Sequence, residues 1–114
     1  MTLIYKIVPS ALWRIAQSSG LFAGAPVDLA DGYIHFSTAA QAEETARRHF
    51  AGQADLLLVA VAAERLGAAL KWEVSRGGDL FPHLYAPLAF ADVVRVAPLP
   101  LQPGGGHDFT GLLT

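Results

Sequence analysis

The run Leu56-Leu57-Leu58-Val59-Ala60-Val61-Ala62 carries no polar residue on either of its alternating faces. A strand with one wet face alternates apolar and polar side chains, so this one has to be covered on both sides. A chain built around it needs a layer above and a layer below. The unbroken apolar stretch ends at Ala63, far short of the about 20 residues that span a bilayer as a helix. Leu56–Ala62 is therefore predicted to be a buried strand.

Further elements are read along the rest of the chain. Leu3 to Val8 reads as a strand interrupted only by Lys6, and Val93 to Leu99 as a final strand. Ser10 is placed to cap a helix whose apolar stripe is Leu12, Ile15 and Ala16, closed by Gly20. From Leu21 to Asp31 the punctuation of Gly24, Pro26 and Asp28 predicts a loop. Tyr33 to Ser37 alternates, with Ile34 and Phe36 on one face and Tyr33, His35 and Ser37 on the other. Thr38 followed by Gln41 has the spacing of a capping box and opens a second helix packed through Ala42, Ala46 and Phe50, with Gly52 after it. Leu70 to Ser75 alternates again, Leu70, Trp72 and Val74 inward and Lys71, Glu73 and Ser75 outward. Phe81 to Tyr85 reads as an aromatic–proline loop. The expectation is one α+β domain over residues 1–100, with two helices placed early and a strand-rich second half. Residues 101–114 form a tail packed on it or flexible beside it.

Composition narrows the function. At 53% hydrophobic and a net charge of −2 the chain folds rather than remaining disordered. The absence of cysteine excludes disulfides, thiolate catalysis and Cys-ligated metal centres. The only basic doublet, Arg47–Arg48, lies one helical turn after Glu43 and Glu44, so its charge is predicted to be paired. Duplex nucleic acid is then a poor partner and a small-molecule ligand a better one. Tyr5, Lys6 and Pro9 stand where a signal peptide would be apolar, and the expected protein is cytoplasmic, without a membrane partner, and a monomer or weak dimer.

The candidate chemistry lies in side chains that alternation turns away from the core. His35 stands two residues before Ser37 and three before Thr38, the start of a helix whose N–H groups form an anion or hydroxyl site. An imidazole there donates to a ribose or phosphate, or acts as acid and base. Glu73 and His83 are its candidate partners, in polarising a hydroxyl or, as two histidines and a carboxylate, in holding a metal. No two of them share a metal-ligand spacing, so no metal residue is assigned. The plainer alternatives are a solvated His35, Glu73 paired with Lys71 or Arg76, and His83 stacked on Phe81 or Tyr85. His49 and His107 read as surface residues, and Trp13 as core.

Two resemblances gather these residues. Tyr5-Lys6-Ile7, Trp13, Gly32-Tyr33-Ile34-His35-Phe36-Ser37-Thr38, Trp72-Glu73 and Phe81-Pro82-His83-Leu84-Tyr85-Ala86-Pro87-Leu88 together resemble the domain of unknown function family 952. The pattern departs from the family's usual one at Lys6, where His is often found, and at Ala86, where Gly is usual. More distantly, Tyr33 to Thr38, the helix with Ala42 and Ala46, Arg48-His49 and the following apolar strand resemble the central segment of the RNA 2′-phosphotransferases. That similarity implies the ADP-ribosyltransferase fold, a split pair of antiparallel sheets, with NAD or a related nucleotide as the ligand class. It places Lys6 where the first strand holds the ribose, and Glu73 or His83–Tyr85 near the catalytic position. The chain lacks the Arg-His pair of that first strand and most of the basic residues needed for an RNA 2′-phosphate.

Three readings follow. In the first, a nucleotide-binding protein, for which the resemblance implies transferase chemistry, uses His35, Glu73 and His83 as catalytic groups and Lys6, Ser37, Thr38 and Tyr85 to hold the ligand. In the second, the same cleft belongs to a non-catalytic regulatory module. In the third, His35, Glu73 and His83 serve a small metal-dependent hydrolase. The residues alone leave open whether the protein is an enzyme.

Overall fold

A computed structural model describes residues 1–113, apart from the side chain of Arg76. The elements follow in the order β1 (Leu3–Pro9), α1 (Ser10–Gln17), β2 (Leu21–Phe22), α2 (Pro26–Asp31), β3 (Ile34–His35), α3 (Ala39–His49), β4 (Leu56–Ala62), β5 (Leu70–Val74), β6 (Leu80–Leu84), β7 (Leu88–Ala89) and β8 (Val93–Leu99). Short 3₁₀ turns join β4 to β5, β5 to β6 and β7 to β8. The architecture is α+β, and every strand pairing is antiparallel.

The apolar run is the middle strand of the sheet β1-β4-β8. Its two faces belong to two cores. Val59 and Val61 join Ile4, Val8, Trp13, Ile34, Phe36 and Leu84 on one side. Leu56, Leu58 and Ala60 join Tyr5, Ile7 and Ala46 on the other, where Phe50 of α3's C-cap and the tail residues Phe109, Leu112 and Leu113 complete the cover. The tail is held by His107, whose Nε2 lies 2.8 Å from the Gln53 carbonyl, and by the Gly52 N–H donating to the Gly105 carbonyl. Burial of both faces is what a strand without polar residues demands.

A second sheet has the order β3-β6-β5, and β2 pairs with β7. The segment 34–37 stitches the two larger sheets together. Its first residues pair with β6, while Ser37 exchanges both backbone hydrogen bonds with Tyr5 of β1, each 2.8 Å. His35, Phe36 and Ser37 of this segment line the cleft described below.

Several expectations need correction. There are three α-helices among the described residues rather than two, because the predicted loop contains α2 and β2. Pro26 occupies the first turn of α2, the Ala25 N–H donates to the Asp28 carboxylate at 2.8 Å, and Gly32 closes the helix at φ +86°. Local capping makes a helix without an apolar stripe. Ser10 is the first helical residue of α1, and Pro9 takes the capping position. The buried face of α1 centres on Trp13, stacked on Phe90 at 4.4 Å, while Ile15 is exposed. Phe81 to Leu84 is strand rather than loop, Pro82 offering its carbonyl to the Phe36 N–H at 3.0 Å. Trp72 and Val74 do not point into a core, being 42% and 69% exposed, because β5 is a sheet edge whose outer face nothing in the described chain covers.

Candidate functional site

Lys6 sits between Ile4 and Val8 on the core-facing side of β1, and it is buried with them. A buried ammonium has to be paired. Its partner is Asp28, the one buried residue of α2, with Nζ 2.9 Å from each carboxylate oxygen. Asp28 Oδ1 also accepts from the His35 backbone N–H at 3.0 Å and faces His35 Nδ1 at 2.7 Å. Burial alone would push the Asp28 carboxyl up, but the His35 hydrogen bonds and the Lys6 charge more than offset it and hold it at about 2. Burial lowers the Lys6 ammonium against the opposing pull of Asp28. Gly24 is part of this packing, since a Cβ there would come within 2.8 Å of Asp28 Cβ.

His35 is thereby fixed by one ring nitrogen from behind. Its other nitrogen, Nε2, lies 3.0 Å from Asp31 Oδ2 at the end of α2. The imidazole is partly exposed on the cleft wall, while Ile34 and Phe36 are core, as the alternation predicts.

β6 and β5 continue the same sheet beside β3. His83 stands directly opposite His35 in the β3–β6 register, and the rings meet edge-on at 5.6 Å. His83 Nδ1 lies 2.8 Å from Glu73 Oε1, and the Tyr85 hydroxyl donates to the same oxygen at 2.7 Å. These bonds from Tyr85 and His83 hold the Glu73 carboxyl below its usual value, and Glu73 in turn pushes the Tyr85 phenol up to about 12. Tyr33 stacks on His83 at 4.2 Å and touches both Tyr85 and His35. Burial, Asp31 and Glu73 raise its phenol. The three residues are linked by contacts, His35 meeting His83 ring to ring and His83 bonded to Glu73, but only the two histidines line the cleft.

The remaining wall belongs to α3. Ser37 is buried, its hydroxyl 2.8 Å from that of Thr45, and Thr38 caps the helix with its N–H donating to Gln41 Oε1 at 3.0 Å. Arg48 and His49 follow one turn beyond Thr45. Arg47 and Arg48 both bond to Glu44, the Arg48 contact through Nε at 2.7 Å. The cleft enclosed by these elements has a volume of about 740 Å³. Lys6, His35, Ser37 and His83 line it; Glu73, Thr38 and Tyr85 lie outside the lining.

Asp28, Asp31, Tyr33 and Thr45 are components that the sequence reading left unassigned. One signal pointed to the first: a lysine in the middle of an apolar strand face requires a buried carboxylate somewhere. Among the described residues no group of three or more His, Asp and Glu converges as a metal site. No described helix is long and apolar enough to cross a membrane.

Comparison with known proteins bears on this surface. No curated protein matches the chain. The X-ray crystal structure of protein CC0527 from Caulobacter crescentus is 54% identical, covers 96% of each chain and superposes with a TM-score of 0.93. The solution NMR structure of the same protein, also 54% identical, covers 99% of this chain and 97% of that one with a TM-score of 0.88. The sequence profile described as protein of unknown function (DUF952) matches residues 7–96, which include Asp28, His35, Glu73 and His83. The chain is a member of the DUF952 family.

Proposed function

We propose that the cleft binds a small nucleotide-like molecule, NAD or a relative of it, between sheets arranged as in the ADP-ribosyltransferases, and that His35 is the group that engages it. The observation that carries this reading is the buried chain Lys6–Asp28–His35 ending on the cleft wall. Burying an ammonium and a carboxylate seldom gains stability over apolar residues of similar volume. Here both serve to orient one partly exposed imidazole. Perturbed, partnered ionisable groups lining a cavity are a mark of functional sites.

In this reading His35 bonds a ribose hydroxyl, and Lys6 acts on the ligand through Asp28 rather than by touching it. Ser37 and Thr38 set the polar corner at the start of α3, and the rings of His83 and Tyr85 border the aromatic end. Glu73 is held ionised by its two hydrogen bonds. A carboxylate below its usual range is a weak proton acceptor, so its fitting role in a transfer is electrostatic: it stabilises positive charge building on a sugar carbon.

Thermal unfolding with NAD, ADP-ribose and AMP tests the reading. A ligand at 100 times its Kd stabilises by about 2.7 kcal/mol, a rise of several degrees for wild type that His35→Ala should abolish while staying folded. Release of free nicotinamide from NAD would add turnover to binding. No response of wild type to any of the three, or an equal response of His35→Ala, overturns the proposal.

A further inference from the structure

The basic side chains that line the cleft are Lys6, Arg48, His35, His49 and His83, against a single carboxylate, Asp31. That imbalance is notable in a chain with more acidic than basic side chains. Lys6 is neutralised from behind by Asp28, and Arg48 shares its carboxylate, Glu44, with Arg47. The one carboxylate on the lining sits directly on the group that faces the cleft, Asp31 Oδ2 at 3.0 Å from His35 Nε2.

Asp31 is also loosely built in. Its side chain is about half exposed, and it ends a six-residue helix whose other outward residues, Val27 and Leu29, are exposed as well. Asp28 is the only buried side chain of that helix, so α2 is fastened through one residue while its end reaches over the cleft. A half-solvated carboxylate on a histidine is worth little to stability, and exchanging it for another anionic oxygen costs correspondingly little.

We infer that Asp31 occupies the position of an anionic oxygen of the ligand: a phosphoryl or carboxylate group displaces it from His35 Nε2, with Arg48 and His49 on the α3 side of the lining completing an oxyanion-binding cleft. Asp31 is then an internal competitor that keeps the site closed to uncharged molecules and gives way to anions. The inference rests on the cleft being a ligand site, but not on the ligand being a nucleotide.

The test follows the ¹⁵N resonances of the histidine rings while inorganic phosphate and, separately, acetate are titrated into wild type, Asp31→Ala and Asp31→Asn. With Asp31 removed, His35 Nε2 should respond to at least one anion at a concentration about tenfold lower than in wild type, and Arg48→Gln in the Asp31→Ala background should weaken that response. A response to phosphate alone assigns a phosphoryl ligand, and an equal response to acetate a carboxylate one; both support the displacement. Because Asp31 is half exposed, both variants should retain the wild-type amide spectrum. Identical titrations in wild type and both variants, or no response of His35 to either anion in both variants, overturns it. Nucleotides are absent from this experiment. A phosphate response in Asp31→Ala beside a failure of NAD, ADP-ribose and AMP to stabilise wild type would sink the nucleotide reading and leave this one standing.

Discussion

The two histidines that line the cleft, His35 and His83, are each paired with a carboxylate, at nearly equal length and opposite exposure. In Asp28–His35, at 2.7 Å, the carboxylate is 1% exposed and the imidazole 32%. In His83–Glu73, at 2.8 Å, the imidazole is 4% exposed and the carboxylate 39%. The same contact therefore has two different consequences. Where the acid is buried, the protein has carried the full cost of desolvating it, matched it with Lys6 and two backbone N–H groups, and turned a histidine outward. Where the histidine is buried, water shares the carboxylate, and the pair mainly holds a ring and a phenol in place. Distance alone does not distinguish a scaffold from a site; the member left in contact with solvent does.

The sharpest way to break this contrast is Asp28→Ala, which strands the Lys6 ammonium in the core. Losing one partner of a buried pair costs about 3–5 kcal/mol, measurable by urea denaturation, and Lys6→Met combined with Asp28→Leu should recover most of it. A loss near that of an ordinary surface substitution would show that Lys6 finds water and that the burial argument fails. Acid offers a gentler version. The Asp28 carboxyl is held at about 2 against an ordinary value of 3.8. A carboxyl depressed by folding contributes stability that is fully present above its unfolded value and is lost as pH falls through its folded one. About 2 kcal/mol should therefore disappear between roughly pH 4 and pH 2, and the fall attributable to this residue should be absent in Asp28→Asn.

His35→Ala should cost only about 1 kcal/mol, because Asp28 keeps Lys6 and two backbone donors when the ring is gone. A loss as large as the about 2–5 kcal/mol expected for Ile34→Ala would make the ring a structural element. The smallest effect belongs to the outer pair. Glu73→Gln removes the negative charge that pushes the Tyr85 phenol up to about 12, so an ultraviolet pH titration should show one tyrosine moving down toward the ordinary value of 10.0. No movement would mean that the hydroxyl bonds elsewhere in solution.

What could be read from the residues was whatever depended on local period. The bounds of β4 and β8, the inward turn of Ile34 and Phe36, and the packed Ala42 and Ala46 all follow from alternation or helical spacing within one element. Failures arose where a distant element decides. The alternation of Leu70 to Val74 is real, but which face is covered depends on β6 lying on one edge of β5 and nothing lying over Trp72. Pro82 argues locally for a loop, yet Phe36 across the sheet makes use of its carbonyl. Asp28 looked like turn punctuation because its role is defined by Lys6, 22 positions away. His35, Glu73 and His83 were identifiable as off-core polar groups; the carboxylates that give His35 its orientation were not, since nothing in their own neighbourhood marks them.

The strand order β1-β4-β8 has a consequence for how the molecule comes into being. The first strand pairs with one that begins more than forty residues later, Pro9 opposite Leu56, and the sheet closes only when Leu56 meets Leu99. During synthesis Lys6 emerges early, yet apart from the single bridge at Ser37 its apolar strand has no sheet partner until β4 has left the ribosome. Pairings this remote are slow to form, because a long loop must close before any contact repays it. A newly made chain therefore passes through a period with an unpaired apolar strand, a hazard for association with other chains, and its tendency to aggregate during expression should depend on temperature and synthesis rate more than on the stability of the finished protein.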